Sequence, residues 1–201
     1  LTSLLDFTEP GSLGVFINDP VISATEAMNN SRGYCDGRLM AVTFSLLREN
    51  TLYWNYYIEN YLKGKEPSQF DILYWNSDGT NIPAKVHSFL LRNLYLDNEL
   101  IQHNKVRVGG VGLNLSRVKT PNFFVSCQED HIALWEGTFQ GSGELGGEST
   151  LILGESGHVA GIVNPPAKNK YGYYTNTAKF EDGKQWLATA EFHKRSWWLA
   201  W

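Results

Sequence analysis

The sequence has few of the features that mark a disulfide-stapled, membrane-spanning or nucleic-acid-binding protein. Its 201 residues include two cysteines, which can form no disulfide framework and match no metal-ligand spacing, as is usual in a reducing cytosol. No apolar run approaches the roughly 18 residues that a membrane-spanning helix needs. The net charge is -4, and Lys and Arg are scattered, which argues against a nucleic-acid surface or a polybasic membrane anchor.

The chain also has neither an initiator methionine nor a signal-like start. It opens inside an apolar segment, residues 1–7, and stops on the tryptophan-rich segment 196–201. This pattern predicts a fragment whose natural protein continues in both directions. Aromatic residues are plentiful, with seven Trp, ten Tyr and ten Phe. We expect most of them to pack in one core, and some to line a ligand cleft or an association surface.

Hydrophobic spacing predicts an α/β chain that carries a helical insertion. Helical periodicity covers residues 38–47, 52–62, 86–96, 134–141 and 180–193, and strand-like runs cover 1–7, 105–108, 122–127 and 149–153. Strands that alternate with helices indicate a parallel sheet. We therefore predict a core strand end over residues 1–9, a mainly helical cap over 10–100, and the second half of the core over 101–201.

Two residues with catalytic potential each follow a predicted core strand. Asp130 follows one apolar run, and His158 lies in a glycine-rich turn after another. Reactive groups in a doubly wound sheet gather beyond the carboxyl ends of the strands. We predict that His158 acts as a general base and that Asp130 fixes its tautomer. The alternative is an N-cap aspartate and a surface-loop histidine.

The sequence offers no convincing nucleophile to complete a triad. Cys35 lies in a G-x-C-x-G pattern, but a nucleophile elbow needs an apolar strand before it, and residues 26–32 are polar. Asp36 also disfavours the thiolate. We therefore reject Cys35 and expect the nucleophile upstream of Leu1. His131 points away from Asp130 in an extended segment, so it makes a structural hydrogen bond or lines the pocket.

Longer motifs identify a family resemblance that covers nearly the whole chain. They are 4–11 (LLDFTEPG), 33–41 (GYCDGRLMA), 52–56 (LYWNY), 60–64 (NYLKG), 70–81 (FDILYWNSDGTN), 91–93 (LRN), 95–96 (YL), 129–132 (EDHI) and 156–170 (SGHVAGIVNPPAKNK). In these segments the chain resembles the C-terminal part of the catalytic domain of class I polyhydroxyalkanoate synthases, also called poly-beta-hydroxybutyrate polymerases. Around Asp130 it departs from the family's usual residues at Cys127, Gln128 and Leu134.

The resemblance implies an α/β-hydrolase-like fold and a cysteine nucleophile, with Asp130 and His158 as the other triad members. The implied reaction transfers the acyl group of (R)-3-hydroxyacyl-CoA to the cysteine and then to a growing polyester. Coenzyme A is part of the substrate, and no further cofactor or metal is implied. Arg48 and Asn98 match positions on the coenzyme A path, and His131 is a further substrate-binding candidate.

The family's cap region covers the site and takes part in dimerisation, so a homodimer at the surface of cytoplasmic polyester granules is implied. Two other functions stay open at this point. An esterase or thioesterase would share the Asp and His placement, but should lack the aromatic cap motifs near Trp54 and Trp75. A truncated module would act at a granule surface or in dimerisation without turnover, because this chain has no positioned thiol.

Overall fold

The structure, a computed structural model, describes residues 4–47, 53–67, 79–178 and 181–201. The chain forms two compact units. The sheet unit comprises Leu1–Val15 and Arg92–Trp201, and the helical unit comprises Phe16–Leu91. In the described parts of the chain, none of the helices has the length and apolar character needed to cross a membrane.

The helical unit contains three α-helices and one small antiparallel strand pair among its described residues. These elements are α1 (Asp19–Arg32), β1 (Tyr34–Cys35), α2 (Gly37–Leu47), a π-helical segment (Tyr57–Leu62), β2 (Ile82–Pro83) and α3 (Ala84–Phe89), which continues into a π-helical segment at Leu90–Leu96. Strand β1 pairs with β2 through Tyr34 with Pro83 and Cys35 with Ile82. The helices predicted over 38–47 and 86–96 are confirmed, and the one over 52–62 is helical from residue 53, where its described part begins.

Helix α1 has clear start and stop signals in the sequence. The Asn18 side chain accepts a hydrogen bond from the Val21 N–H at 3.1 Å, and Pro20 occupies the first turn. The helix ends at Gly33, which has a left-handed φ of 83°. Glycine adopts this conformation with little strain because it has no Cβ. The Gly33 N–H donates to the Asn29 carbonyl at 2.8 Å. These caps satisfy backbone groups that the helix ends leave free.

The interior of the helical unit holds a polar pair. Asn29 Nδ2 lies 3.2 Å from His87 Nδ1, and both residues are buried. Burial lowers the pKa of His87, because an apolar environment disfavours the charged imidazolium. Cys35 is buried in the same unit, and burial raises the pKa of its thiol.

The sheet unit is built around a four-stranded sheet in the order β5-β6-β7-β8. Its elements are β3 (Arg107–Val108), β4 (Val111–Gly112), β5 (Asn122–Cys127), α4 (Trp135–Ser142), β6 (Ser149–Gly154), β7 (Tyr173–Thr175), α5 (Gly183–Ala188) and β8 (Glu191–His193). Short 3-10 segments lie at Glu99–Ile101, Leu115–Arg117, Pro166–Lys168 and Trp197–Leu199, and a further one at Gly11–Phe16 runs into the helical unit. Strands β5 and β6 are parallel, from Asn122 with Ser149 to Cys127 with Gly154.

The second halves of β5 and β6 are buried on both faces, as the consecutive apolar residues at 123–125 and 151–153 predict. Successive side chains point to opposite faces, so each strand contributes to two clusters. One cluster contains Phe124, Trp135, Leu151, Leu153 and Trp186, and brings in helices α4 and α5. The second contains Val125, Ile152, Tyr173 and Trp197. The two strands that precede Asp130 and His158 are therefore packed against a hydrophobic cluster on each face.

The prediction of a parallel sheet is wrong for two of the three strand pairings. Strands β7 and β8 pair antiparallel to their neighbours, so the sheet is mixed. The helix predicted over 180–193 reduces to α5, and the chain then extends into β8. Each of these two strands has three residues, which is too short for a period-two pattern to stand out.

Two further strand predictions also need correction. The strand predicted over residues 105–108 is confirmed only at Arg107–Val108, where β3 forms a small hairpin with β4 and Val108 is 60% exposed. Residues 4–7, the described part of the strand predicted over 1–7, form no strand. They pack against α4 at its two glycines instead, since a Cβ on Gly137 would lie 3.1 Å from Leu4 Cδ2, and one on Gly141 would lie 3.0 Å from Leu5 Cβ. The strands predicted over 122–127 and 149–153 are confirmed.

Candidate active site

Asp130 is a buried carboxylate three residues beyond the end of β5. Its side chain is 0% exposed, and its N–H donates to the Cys127 carbonyl at 3.1 Å. Its Oδ1 accepts hydrogen bonds from the N–H groups of Ile132 at 2.9 Å and Ala133 at 3.0 Å. An aspartate that accepts from the backbone two residues onward forms a local turn. That turn fixes the carboxylate and leaves Oδ2 for a second partner.

The second partner is His158, whose Nδ1 lies 2.7 Å from Asp130 Oδ2. The parallel register pairs Cys127 with Gly154, so the segments that follow β5 and β6 leave the sheet at the same edge. The N–H of Glu129 then donates to the Ser156 carbonyl at 3.0 Å. The sequence prediction that Asp130 and His158 meet at the strand ends therefore agrees with the geometry.

The geometry assigns different tasks to the two imidazole nitrogens. When Nδ1 carries the proton and donates it to Asp130, the lone pair resides on Nε2. A histidine oriented this way can take a proton through Nε2, and the carboxylate stabilises the imidazolium that forms. The His158 side chain is 38% exposed, so the ring reaches solvent while its acid partner does not. Such a pair can serve general base and general acid catalysis.

The segment that carries His158, which we call the histidine loop (residues 155–164), packs tightly over the end of β5. A Cβ on Gly161 would lie 2.3 Å from Cys127 Sγ and 2.7 Å from the Glu155 carbonyl oxygen. Glycine fits here because it has no Cβ, and Cβ atoms in proteins do not come closer than 3.0 Å to such neighbours. The Gly161 N–H donates to the Gly157 carbonyl at 2.9 Å, which closes a turn around His158.

Neither cysteine of the chain has the properties of a nucleophile. Cys127 is 0% exposed, and burial together with the nearby Asp130 charge raises the pKa of its thiol to about 12. Cys35 is 1% exposed, and burial likewise raises its thiol pKa. Because the thiolate is the reactive form, both side chains have the character of small core residues.

The remaining candidates from the sequence lie in different settings. His131 is exposed, directly after Asp130. Asn98 joins two segments of the sheet unit: its Nδ2 donates to Asp6 Oδ1 at 2.8 Å, and its Oδ1 accepts from the Phe7 N–H at 3.0 Å. Arg48 lies outside the described residues, as does most of the motif predicted over 70–81. The assignment of His131, Asn98 and Arg48 to substrate binding stays a prediction.

Three C-terminal residues contact the histidine loop, although no motif in the sequence points to them. Trp197 Nε1 donates to the Gly161 carbonyl and Trp198 Nε1 to the Ile162 carbonyl, each at 3.0 Å. Ser196 Oγ donates to the Asn164 carbonyl. The one available signal is the pair of adjacent tryptophans.

Possible metal ligands are dispersed in the parts of the chain that the structure describes. No three His, Cys, Asp or Glu side chains among them are grouped to hold an ion. The carboxylate and imidazole of the candidate site are instead bonded to each other, with the carboxylate's second oxygen occupied by backbone donors.

Comparison with known proteins shows which proteins the chain is similar to. No protein-family model matches the chain. Three curated relatives are a poly(3-hydroxyalkanoate) polymerase subunit PhaC of Rhizobium meliloti (45% identical over 200 residues), a poly(3-hydroxyalkanoate) polymerase of Methylorubrum extorquens (45% over 205) and a polymerase subunit PhaC of Cupriavidus necator (42% over 206). The chain is homologous over its full length to poly(3-hydroxyalkanoate) polymerases. The resemblance inferred from the sequence motifs is thereby confirmed.

The match covers all of this chain but much less of the relatives. The chain spans about a third of the length of the three polymerases, 33%, 33% and 35% respectively. Asp130 and His158 both fall within that shared third, because the aligned region includes the whole chain.

Proposed function

We propose that this chain carries the acid and the base of a Cys/Asp/His triad in a polyhydroxyalkanoate synthase with an α/β-hydrolase fold. The observation that supports it best is the 2.7 Å contact between His158 Nδ1 and the buried Asp130 carboxylate. Full-length homology to poly(3-hydroxyalkanoate) polymerases adds the reaction class. The substrate is an (R)-3-hydroxyacyl-CoA, and the products are a lengthened polyester and free coenzyme A.

The proposed chemistry uses His158 twice in each cycle. First, Nε2 takes the proton of a cysteine thiol, the thiolate attacks the thioester carbonyl, and the coenzyme A thiolate leaves with the proton returned by the imidazolium. Next, Nε2 takes the proton of a hydroxyl group, whose oxygen attacks the new acyl thioester and expels the cysteine thiolate. One ester bond forms, and the proton returns to the cysteine. Asp130 stabilises the imidazolium in both steps.

The nucleophilic cysteine of this proposal lies outside the 201 residues. Both cysteines in the chain are buried, and their thiol pKa values are raised, which supports the rejection of Cys35 and argues against Cys127 on the same ground. No cofactor enters this scheme, because coenzyme A arrives as part of the substrate.

Assembly and location belong to the same proposal. We place the protein in the cytoplasm as a homodimer at the surface of polyester granules. The helical unit offers an exposed aromatic stripe, with Tyr53, Trp54, Tyr57 and Tyr61 between 41% and 75% exposed. Adjacent rings of this stripe lie 5.1 to 5.9 Å apart. Exposed apolar patches of this kind are typical of association surfaces.

An esterase or thioesterase uses the same Asp–His pair, so the two activities must be separated by their products. The product of the complete gene should release coenzyme A from 3-hydroxybutyryl-CoA and form polymer in step with that release. Release that yields only free 3-hydroxybutyrate would contradict the synthase and support a hydrolase.

The 201-residue chain, assayed alone, tests the placement of the nucleophile. We expect no coenzyme A release from it, as an inactive truncated module would also show. Turnover that is lost on Cys35→Ala would overturn the rejection of Cys35. If the complete gene product is also inert while correctly folded, the truncated module is the better description.

A further inference from the structure

Trp197 and Trp198 form hydrogen bonds with the segment that carries His158. Three neighbouring residues, Ser196, Trp197 and Trp198, each donate a hydrogen bond to a main-chain carbonyl of the histidine loop. The acceptors are Asn164, Gly161 and Ile162, respectively. The donors lie 32 or 36 residues further along the chain than their acceptors, so this contact is tertiary and not part of a local turn.

Trp197 links the histidine loop to the sheet itself. Its ring is 9% exposed and packs in one cluster with Val125 of β5 and Ile152 of β6. These are the two strands from which Asp130 and His158 emerge. Its indole N–H then reaches the Gly161 carbonyl at 3.0 Å. The Trp197 side chain therefore connects the histidine loop to the two strands that position Asp130 and His158.

The loop is held from its other side as well. Gly161 lies directly against Cys127 Sγ, so it cannot move further toward the sheet. The Asn164 side chain is 2% exposed and donates to the Tyr171 carbonyl at 2.9 Å. Trp198, which is 40% exposed, adds its bond to Ile162 from the solvent side. The contact with Cys127, the Asn164 bond to Tyr171 and the two indole donors together restrain residues 161–164.

We propose that Trp197 and Trp198 are positioning residues for His158. They hold the histidine loop in the position that lets His158 Nδ1 form a hydrogen bond with the Asp130 carboxylate. A hydrogen bond of 2.7 Å tolerates little displacement, and misplacing a catalytic group by about 1 Å can cost on the order of 10²-fold in rate. His158 precedes Gly161 by three residues in one closed turn, so the restraint on Gly161 is transmitted to the imidazole. The kinetic consequence rests on the proposed function, whereas the structural consequence does not.

The test compares Trp197→Phe with Trp186→Phe in the product of the complete gene. The first variant keeps an aromatic ring in its cluster but removes the donor to Gly161. The second makes the same truncation in the cluster on the opposite face of the sheet, away from the histidine loop. Both should lower the melting temperature, so stability alone does not decide the question.

Two readouts should separate the variants. The first is the proton resonance of His158 Nδ1–H in protein with labelled histidine, which reports the bond to Asp130 without any substrate. Trp197→Phe should broaden or remove it, and Trp186→Phe should leave it in place. The second is coenzyme A release, in which Trp197→Phe should lower kcat about tenfold and change KM less than about twofold.

The proposal is overturned if Trp197→Phe leaves the resonance and kcat intact, or if Trp186→Phe lowers kcat equally. Should Trp197→Phe fail to fold, Trp198→Phe replaces it, because its ring is partly exposed; an unchanged resonance and kcat in that variant would also refute the proposal. Failure of the proposed function gives a different result. The unaltered protein would then form no polymer, while the resonance would still report whether the tryptophans position His158.

Discussion

The Asp130 carboxylate lies 2.7 Å from His158 Nδ1, although 28 residues separate the two in the chain. The contact arises because β5 and β6 are parallel neighbours that end at the same edge of the sheet. Local turns then complete it: backbone N–H groups of Ile132 and Ala133 orient the carboxylate, and the turn between Gly157 and Gly161 orients the imidazole.

The substitution Asp130→Asn tests the role of the carboxylate charge. The amide keeps the shape of the side chain but cannot stabilise an imidazolium, and its N–H group favours the wrong histidine tautomer. We expect coenzyme A release by the complete gene product to fall by about 10²- to 10⁴-fold. The matched control is Glu129→Gln, an exposed acid one residue away, which should retain activity within about twofold. Similar losses in both variants would show that local charge, and not the pair, matters.

Replacing Gly161 with Ala tests the close packing of the histidine loop over β5. The new methyl group would lie 2.3 Å from Cys127 Sγ and 2.7 Å from the Glu155 carbonyl oxygen, so the loop must shift. We expect a loss of about 1–3 kcal/mol in the free energy of unfolding, measured with urea. Gly157→Ala is the control, because its nearest atom would be the Glu129 carbonyl oxygen at 3.5 Å, an ordinary contact. Equal effects would contradict the close approach seen at Gly161.

Acidification should weaken the helical unit through His87. Burial lowers the pKa of this histidine from its ordinary value of 6.5, so the unfolded chain takes up a proton before the folded chain does. The contribution of neutral His87 to the free energy of unfolding is therefore complete above pH 6.5 and is lost as the pH falls below that value. Urea unfolding at about pH 7.5 and about pH 5.5 should show a smaller decline in His87→Gln than in the unaltered chain. His103→Gln, at an exposed position, should behave like the unaltered chain.

Both thiols should resist modification while the chain is folded. Burial raises the pKa of both, that of Cys127 to about 12. At about pH 8 Ellman's reagent should therefore react with Cys127 on the order of 10³-fold more slowly than with an exposed thiol. Thr177→Cys, at an exposed position, supplies the fast reference within the same chain. Unfolding in guanidinium should expose both thiols to the reagent. Rapid labelling of two thiols in the folded, unaltered chain would contradict their burial.

Local sequence patterns were sufficient to predict an element where it is long and where the turn or capping residues beside it indicate the same element. The apolar runs within β5 (residues 123–125) and β6 (residues 151–153) predict strands buried on both faces, and the turn residues after them place Asp130 and His158 beyond strand ends. Helix α2 shows its apolar periodicity directly, and the Asn18 and Gly33 caps of α1 are typical sequence signals. Pattern reading failed at β7 and β8, because three residues cannot display a period and pairing with a neighbouring strand decides their conformation.

The sequence by itself determined the resemblance to poly(3-hydroxyalkanoate) polymerases and the two strands that support the candidate site, and it pointed to Asp130 and His158, because these depend on residue types and short-range spacing. The tertiary structure alone decided three other features: the mixed direction of the sheet, the clamp of Asn98 on residues 6–8, and the bonds of Trp197 and Trp198 to the histidine loop. Each depends on contacts between segments tens of residues apart. Side-chain periodicity carries no information on such pairings, since they are set by how the packed elements fill the space around the sheet.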